Sequence, residues 1–206
     1  MVDYFALFAE PRRPWLDTDA LKARFLALSA EVHPDRVHTA SAAERDAAQQ
    51  RYVELNAAYH CLREPKERLR HLLELECGAK PEVVQNIPSD LMDQFLEVST
   101  LCRAVDAFLQ ERSQTNAPLL KVQMFERGLE WRDKLQALQQ ELNAQRDTLL
   151  GELPALNAAW ESAPAPGASH RPDSLPLARL EQIYRLLSFL GRWTSQLLER
   201  VVELAM

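Results

Sequence analysis

Apolar residues recur three and four positions apart along most of the chain, which is the spacing that places them on one face of an α-helix. The segment that begins at Asp17 shows this clearly, because its apolar stripe consists of Leu21, Phe25, Leu28 and Val32. Almost no segment alternates apolar and polar residues with the period of two that is typical of strands. The pattern therefore predicts an all-α protein.

Local signals predict where the helices of the N-terminal part begin and end. After a short aromatic first helix, a second helix has Asp17 or Thr18 as its predicted N-cap, because these side chains accept hydrogen bonds from the first free amides of a helix. Pro34 restricts the backbone of His33, so this helix is expected to end near Val32.

A third helix is predicted to begin after Ser41. Glu44 stands three residues later, so the two side chains can form a capping box. This helix is expected to end near Glu64 and Pro65, and a short fourth helix is expected to end at Gly78. Two antiparallel helices joined by the loop after His33 are therefore predicted near the start of the chain.

The second half of the chain has longer helical patterns. Ser89 or Asp90 is the predicted N-cap of a fifth helix, whose apolar face begins at Leu91. A sixth helix is predicted from about Leu119 to about Leu150. These lengths and the turns between them are typical of a helical bundle.

Composition shifts predict the domain boundaries. A first domain is expected over 1–77, a linker over 78–88 and a C-terminal helical bundle over 89–206. The bundle is interrupted at about 163–176 by a segment rich in proline, serine and glycine, which is expected to be a mobile loop. A last helix is predicted to follow from about Leu177.

The composition excludes several classes of protein. The formal net charge of −6 argues against a nucleic-acid partner, since no basic field is present. No apolar run reaches the ~20 residues of a membrane span, and the first residues have the wrong charge order for a secretory signal. Three cysteines without a CxxC pair favour a reducing, cytoplasmic location.

The segment EVHPDRV, which spans 31–37, lies between two amphipathic helices and follows the aromatic first helix DYFALF. A helix, a loop with His33, Pro34 and Asp35, and a second helix together resemble a J domain. Further segments, among them LDTDALKARF, LNAAYHCLREPKERLRHLLEL and the acidic helical C-terminal part, resemble the HscB family of J-domain co-chaperones of iron–sulfur cluster assembly.

This resemblance implies a fold and a function. The implied fold is an N-terminal J domain joined to a C-terminal three-helix bundle in an L shape. The implied function is to stimulate the ATPase of a DnaK/HscA-type chaperone and to deliver the IscU-type scaffold protein to it. The resemblance implies no catalytic site of its own, and no cofactor is expected. The N-terminal double CxxC motif of some eukaryotic relatives is absent, so no bound metal is expected either.

The resemblance also implies which residues contact the chaperone. His33, Pro34 and Asp35 match the loop that stimulates the ATPase. Lys22 and Arg24 precede this loop and Arg36 follows it, so that they can present basic charge to the ATPase. The alternative interpretation is a plain helix stop at the proline beside an ordinary solvated face.

The resemblance places the scaffold-binding patch at Leu91, Met92 and Phe95, with Phe189 as an aromatic residue of the last helix. All four lie at helical spacing. Judged from the residues alone, they are more typical of the core of a bundle than of an exposed patch.

Three other functions remain as alternatives. An enzyme is disfavoured because no phosphate loop, nucleophile elbow or HExxH zinc helix is present. A zinc site at His60, Cys61, His71 and Cys77 is disfavoured by the irregular spacing of these residues. A specialised J protein with a different client, or a helical interaction protein without ATPase coupling, stays open.

Overall fold

The computed structural model describes residues 2–33, 41–81, 87–115 and 117–206, and the described part contains helices and no strand. This confirms the all-α prediction. Within these residues, seven α-helices follow one another, with short 3₁₀ turns at Ser89–Leu91 and Pro172–Ser174. The α-helices are α1 (Tyr4–Leu7), α2 (Thr18–Glu31), α3 (Ala42–Arg63), α4 (Pro65–Cys77), α5 (Met92–Gln114), α6 (Pro118–Ser162) and α7 (Leu177–Ala205).

The predicted caps of the N-terminal helices are confirmed. The Asp17 carboxylate accepts hydrogen bonds from the backbone N–H groups of Asp19 and Ala20, both at 2.9 Å. Ser41 and Glu44 form the complete capping box at the start of α3. Because a cap satisfies amides that a helix leaves free at its end, these short-range signals fix where α2 and α3 begin.

Two boundaries differ from the prediction. The residues Ser89–Leu91 form a 3₁₀ turn, and α5 begins at Met92 without a side-chain cap. Helix α6 continues past Leu150 to Ser162, with Pro154 inside it. A proline removes one hydrogen bond from a helix interior, and burial of apolar side chains on the continuing helix, including Leu153 and Trp160, offsets that loss.

The structure divides into two compact units. Unit 1 comprises Met1–Glu82 and Gly151–Tyr184, and unit 2 comprises Val83–Leu150 and Arg185–Met206. Each of α6 and α7 therefore contributes residues to both units. The domain boundaries drawn from the sequence, which assign all of 89–206 to the bundle, remain a prediction about which segments fold together.

In unit 1, the stretch 151–184 is tied to the N-terminal residues by buried polar contacts. The side-chain amide of Asn157 accepts a hydrogen bond from the Trp15 backbone N–H at 3.0 Å and donates one to the Trp15 carbonyl at 3.1 Å. The Arg171 guanidinium binds both carboxylate oxygens of Glu76, at 2.8 and 2.9 Å, and donates to the Pro164 carbonyl. The segment expected to be a mobile loop thus contains an anchor that the sequence did not reveal.

Unit 2 packs α5, the first part of α6 and the end of α7 around one apolar core. Phe108 of α5 lies beside Trp131 of α6, with ring centroids 6.5 Å apart. The Arg112 guanidinium, near the end of α5, donates to the last carbonyls of α7, those of Glu203 and Leu204. Unit 2 is thus a packing of three helices, as the resemblance implied for the C-terminal part.

Candidate functional site

Helices α2 and α3 of unit 1 form the antiparallel pair that the J-domain resemblance requires. The rings of Phe25 and Tyr59 stack with centroids 4.3 Å apart. Just beyond the C-terminal end of α2, the ring of His33 meets Tyr52 edge-on, with ring centroids 6.3 Å apart. Residue numbers rise along α2 while those of their partners fall along α3, so the two helices run in opposite directions. His33 is exposed at the end of this pair, directly after Val32, the C-cap of α2.

The remaining loop residues of the predicted chaperone contact, Pro34, Asp35 and Arg36, lie outside the described residues. Their roles remain predictions. The described part nevertheless fixes where the loop must start, because α2 ends at Glu31 and His33 follows with its side chain exposed.

The two predicted basic residues of α2 are both exposed. No ion pair joins Lys22 or Arg24 to another residue in the part of the chain that the structure describes. Residues two positions apart in an α-helix do not face each other. Lys22 and Arg24 therefore project from different sides of α2, and a partner that covers one side of this helix contacts one of them more closely than the other.

Two buried side chains of α4, those of Arg68 and His71, hold the first residues of the chain against this helix. The Arg68 guanidinium donates to the Pro14 carbonyl at 2.8 Å and to the Leu62 carbonyl at 2.6 Å. Burial lowers the pKa of Arg68 to about 10. His71 accepts a hydrogen bond from the Tyr4 backbone N–H through Nε2 at 3.1 Å, and burial lowers its pKa. These contacts fix α1 and the segment after it, beside the helices that carry the site.

The four residues considered for a zinc site have other environments. His60 and Cys77 are exposed. The Cys61 thiol is half-buried 3.5 Å from the Glu67 carbonyl, and burial raises its pKa to about 11. The Nε2 atom of His71 is occupied by the Tyr4 N–H. In the part of the chain that the structure describes, no three His, Cys, Asp or Glu side chains are grouped as a metal ion would require.

The predicted scaffold-binding residues all lie in unit 2, but they differ in exposure. Leu91 and Phe189 are 6% and 3% exposed and belong to the core. Phe95 is half-buried against the same core, where its ring lies 6.4 Å from that of Trp193. Met92 is 41% exposed. The structure thus brings three of the four side chains into one cluster and leaves Met92 as the exposed member.

A cavity of about 310 Å³ opens beside Leu91 in unit 2. Its wall includes Leu149 and Leu190, together with Gln94, whose Oε1 atom is buried without a hydrogen-bond partner. An unpaired buried acceptor is uncommon in proteins. The sequence pattern contained no signal for this cavity, because α5, α6 and α7 each contribute to it.

Among the described residues, no helix combines the length and apolar character needed to cross a membrane.

Comparison with known proteins identifies relatives of this chain. A co-chaperone protein HscB homolog of Bordetella avium is 47% identical over 72 residues, which are 35% of this chain and 43% of that protein. The corresponding homolog of Bordetella petrii is 42% identical over 95 residues, which are 45% of this chain and 55% of that protein. The matched region thus spans about half the length of these curated relatives. No protein-family model matches the chain.

The fold also has a counterpart among solved structures. The crystal structure of human co-chaperone protein HscB aligns with 98% of this chain and 81% of its own chain, with a TM-score of 0.56 and 19% identity. At this identity the likeness concerns the fold alone. The chain is thus similar to the HscB homologs in sequence over up to 95 residues, and similar to human HscB in fold over nearly its whole length.

Proposed function

We propose that this chain is a J-domain co-chaperone that stimulates the ATPase of a DnaK/HscA-type chaperone and delivers an IscU-type scaffold protein to it. The iron–sulfur cluster is then the cargo of the scaffold, and the co-chaperone holds neither a cofactor nor a metal. The observation that carries this proposal is the exposed His33 at the end of the antiparallel pair α2 and α3. The curated relatives named HscB support it.

The contact with the chaperone follows from the position of His33. A side chain at the end of two packed helices reaches a partner without a large loss of conformational freedom, which favours binding. In this proposal His33, Pro34 and Asp35 dock on the ATPase and bind its hydrolysis-competent state more tightly than its resting state. Such a difference in affinity is what shifts the chaperone toward hydrolysis.

Basic side chains contribute to the same contact. Lys22 and Arg24 on α2, with Arg36 after the loop, attract an acidic surface of the ATPase. Exposed charges of this kind mainly increase the rate of association and orient the encounter. Because Lys22 and Arg24 project from different sides of α2, we expect their individual replacement to have unequal effects on the association rate.

Scaffold delivery is proposed to use unit 2. Met92 is the exposed member of the predicted patch, and Phe95 lies beside it on α5. Leu91 and Phe189 are buried behind them, where they support the shape of this surface. A chain that binds the scaffold and the chaperone together raises the effective concentration of one near the other.

Steady-state ATP hydrolysis by a purified DnaK/HscA-type chaperone tests the proposal. The chain should stimulate hydrolysis, and His33→Gln should abolish this stimulation. His60→Gln is the matched control, because His60 is also an exposed histidine of unit 1 and lies away from the loop. Equal loss in both variants, or no stimulation by the unaltered chain, would contradict the contact at His33 and favour a helical interaction protein without ATPase coupling.

The client is tested in the same assay by adding the IscU-type scaffold protein. Synergy between the scaffold and the chain is expected, and Met92→Ala should reduce it while leaving stimulation without scaffold unchanged. If stimulation depends on His33 but is indifferent to the scaffold, the chain is a J protein with a different client.

A further inference from the structure

Unit 2 has a groove on the side where α5 faces α6. Its volume is about 640 Å³, which is within the range of the cavities in which proteins bind small molecules. Ala104 of α5 and Ala137 of α6 line it. Their short side chains leave a hollow between the helices, and Leu101 and Leu138 contribute to its apolar wall.

Two large apolar side chains at this groove are accessible to solvent. Leu96 is 53% exposed, and the Trp131 ring is half-buried. Leu96 lies off the stripe of α5 that forms the core, since Phe95 and Val98 occupy the core side at this level. Exposed apolar side chains that surround a hollow mark places where another molecule binds, because their burial is favourable.

The charges at the groove indicate the partner. Helices α5 and α6 run antiparallel, and Phe108 lies opposite Trp131. Glu97 precedes Phe108 by about three helical turns, and Glu141 follows Trp131 by about three turns. The two carboxylates therefore lie at about the same level on opposite walls of the groove. Neither carboxylate forms an ion pair with any described residue. Lys134 also lines the groove and keeps its positive charge, with its Nζ atom 4.5 Å from the centre of the Trp131 ring, so the two carboxylates outnumber the one cation of the lining.

We propose that this groove is a docking site for a short amphipathic helix of another protein, with an apolar side chain in the hollow and a lysine or arginine between Glu97 and Glu141. The lining from Leu96 to Ala104 spans about 12 Å of α5, which corresponds to about two turns of a docked helix. A helix in an apolar groove is a common mode of peptide recognition.

This site adjoins the scaffold patch of the proposed function, because Leu96 stands four positions after Met92 on α5. None of Leu91, Met92, Phe95 and Phe189 lines the groove. The inference defines its partner by the chemistry of this lining and not by the chaperone or the scaffold, so it would hold for a protein with another client.

The experiment uses the full chain and two synthetic helical peptides of about 12 residues, each labelled with fluorescein. Both carry leucine at positions three and four apart. One has lysine at its polar positions and the other has glutamate. Fluorescence anisotropy is expected to show binding of the lysine peptide and about tenfold weaker binding of the glutamate peptide.

Two variants test the walls of the groove with the lysine peptide. The double change Glu97→Gln and Glu141→Gln should weaken binding about threefold to tenfold, as expected for the loss of two exposed ion pairs. Its control is Glu199→Gln with Glu203→Gln, which removes the same charge from α7 of the same unit. Leu96→Ser should also weaken binding, whereas Leu198→Ser, at a side chain that is 50% exposed on α7, should not.

Two results would overturn the inference. Equal weakening by the two charge variants would mean that the acidic chain attracts a basic peptide without a site. Self-association of the unaltered chain in sedimentation, lost in Leu96→Ser, would mean that a second copy of this chain occupies the groove. Circular dichroism of each variant ensures that a loss of binding is not a loss of fold.

Discussion

His71 shows how a single buried residue depends on its surroundings. Its ring lies near those of Tyr4 and Phe5, with centroids 4.5 and 6.0 Å away. Its Nε2 atom must be unprotonated to accept the hydrogen bond from the Tyr4 backbone N–H. Burial favours the same neutral form and lowers the pKa, and Arg70 and Arg12 act in the same direction. Asp3 and Glu74 oppose this effect.

The free energy of unfolding should therefore fall in mild acid. The pKa of His71 in the folded state is below its unfolded value of about 6.5. As the pH falls below about 6.5, the unfolded state takes up the proton first, so folding loses stability until the folded pKa is also passed. We expect urea unfolding of His71→Gln to show a smaller loss between about pH 7.5 and pH 5.5.

His60→Gln is the matched control for this measurement, because His60 is exposed in the same unit. It should keep the pH dependence of the unaltered chain. If His71→Gln and the unaltered chain lost stability in parallel, the dependence would come from other groups.

Contacts of single residues could be predicted where the two partners are only a few positions apart in the chain. The caps at Asp17 and Ser41 were read from the sequence, because a cap and the amides it binds are neighbours in the chain. The hydrogen bond from the Tyr4 N–H to His71 was not, since it joins residues 67 positions apart. His71 was considered as a metal ligand because its residue type alone does not show which atom it faces.

At the scale of elements, a helical stripe does not distinguish a core face from a binding face. Leu91, Phe95 and Phe189 were predicted to contact a scaffold, and all three contact the core of unit 2. Met92 is exposed because it follows Leu91 directly, and neighbouring residues of a helix point about 100° apart, so Met92 points away from that core. The scaffold-binding role of this patch remains a prediction, with Met92 as the side chain best placed to carry it.

Two alanine variants separate packing from binding. Phe189→Ala should lower the free energy of unfolding by about 3–5 kcal/mol, because it leaves a cavity in the core. Met92→Ala should change it by less than about 1 kcal/mol, as is usual at an exposed position. Chemical denaturation followed by circular dichroism measures both.

The ratio of the two effects is the informative quantity. A small change for Phe189→Ala would show that this ring is not part of a tightly packed core, and would leave it free to contact a partner. A large change for Met92→Ala would contradict the exposure seen in the structure.

At the scale of the whole molecule, unit 1 is assembled from two distant stretches of the chain. Glu76, at the end of α4, is paired with Arg171, and the side chains are only 2% and 5% exposed. Arg12 approaches the same carboxylate at 3.9 Å and also pairs with Asp3 at 2.8 Å. The stretch 151–184 therefore supports the fold of the residues that precede and follow His33.

Arg171→Met should destabilise unit 1 by about 3–5 kcal/mol, because it leaves the buried Glu76 carboxylate without its principal partner. Thermal unfolding monitored by circular dichroism measures this change. Because the helices near His33 belong to unit 1, stimulation of the chaperone ATPase should be lost at a lower temperature in this variant.

The control is Arg146→Met, which removes an arginine from an exposed pair with Asp147. Exposed ion pairs contribute little to stability, so this variant should unfold like the unaltered chain. If both arginine variants behaved alike, Arg171 would not be a stabilising anchor of unit 1.

The helical class, the N-terminal caps, the end of α2 before His33 and the resemblance to HscB could all be predicted from the sequence. All of these depend on residues that are close together in the chain, or on short motifs. Three features required the folded structure: α6 extends to Ser162, Arg171 binds Glu76, and Phe189 is buried while Leu96 is exposed. Burial and pairing between distant segments depend on how helices pack, and the periodicity of one helix does not contain that information.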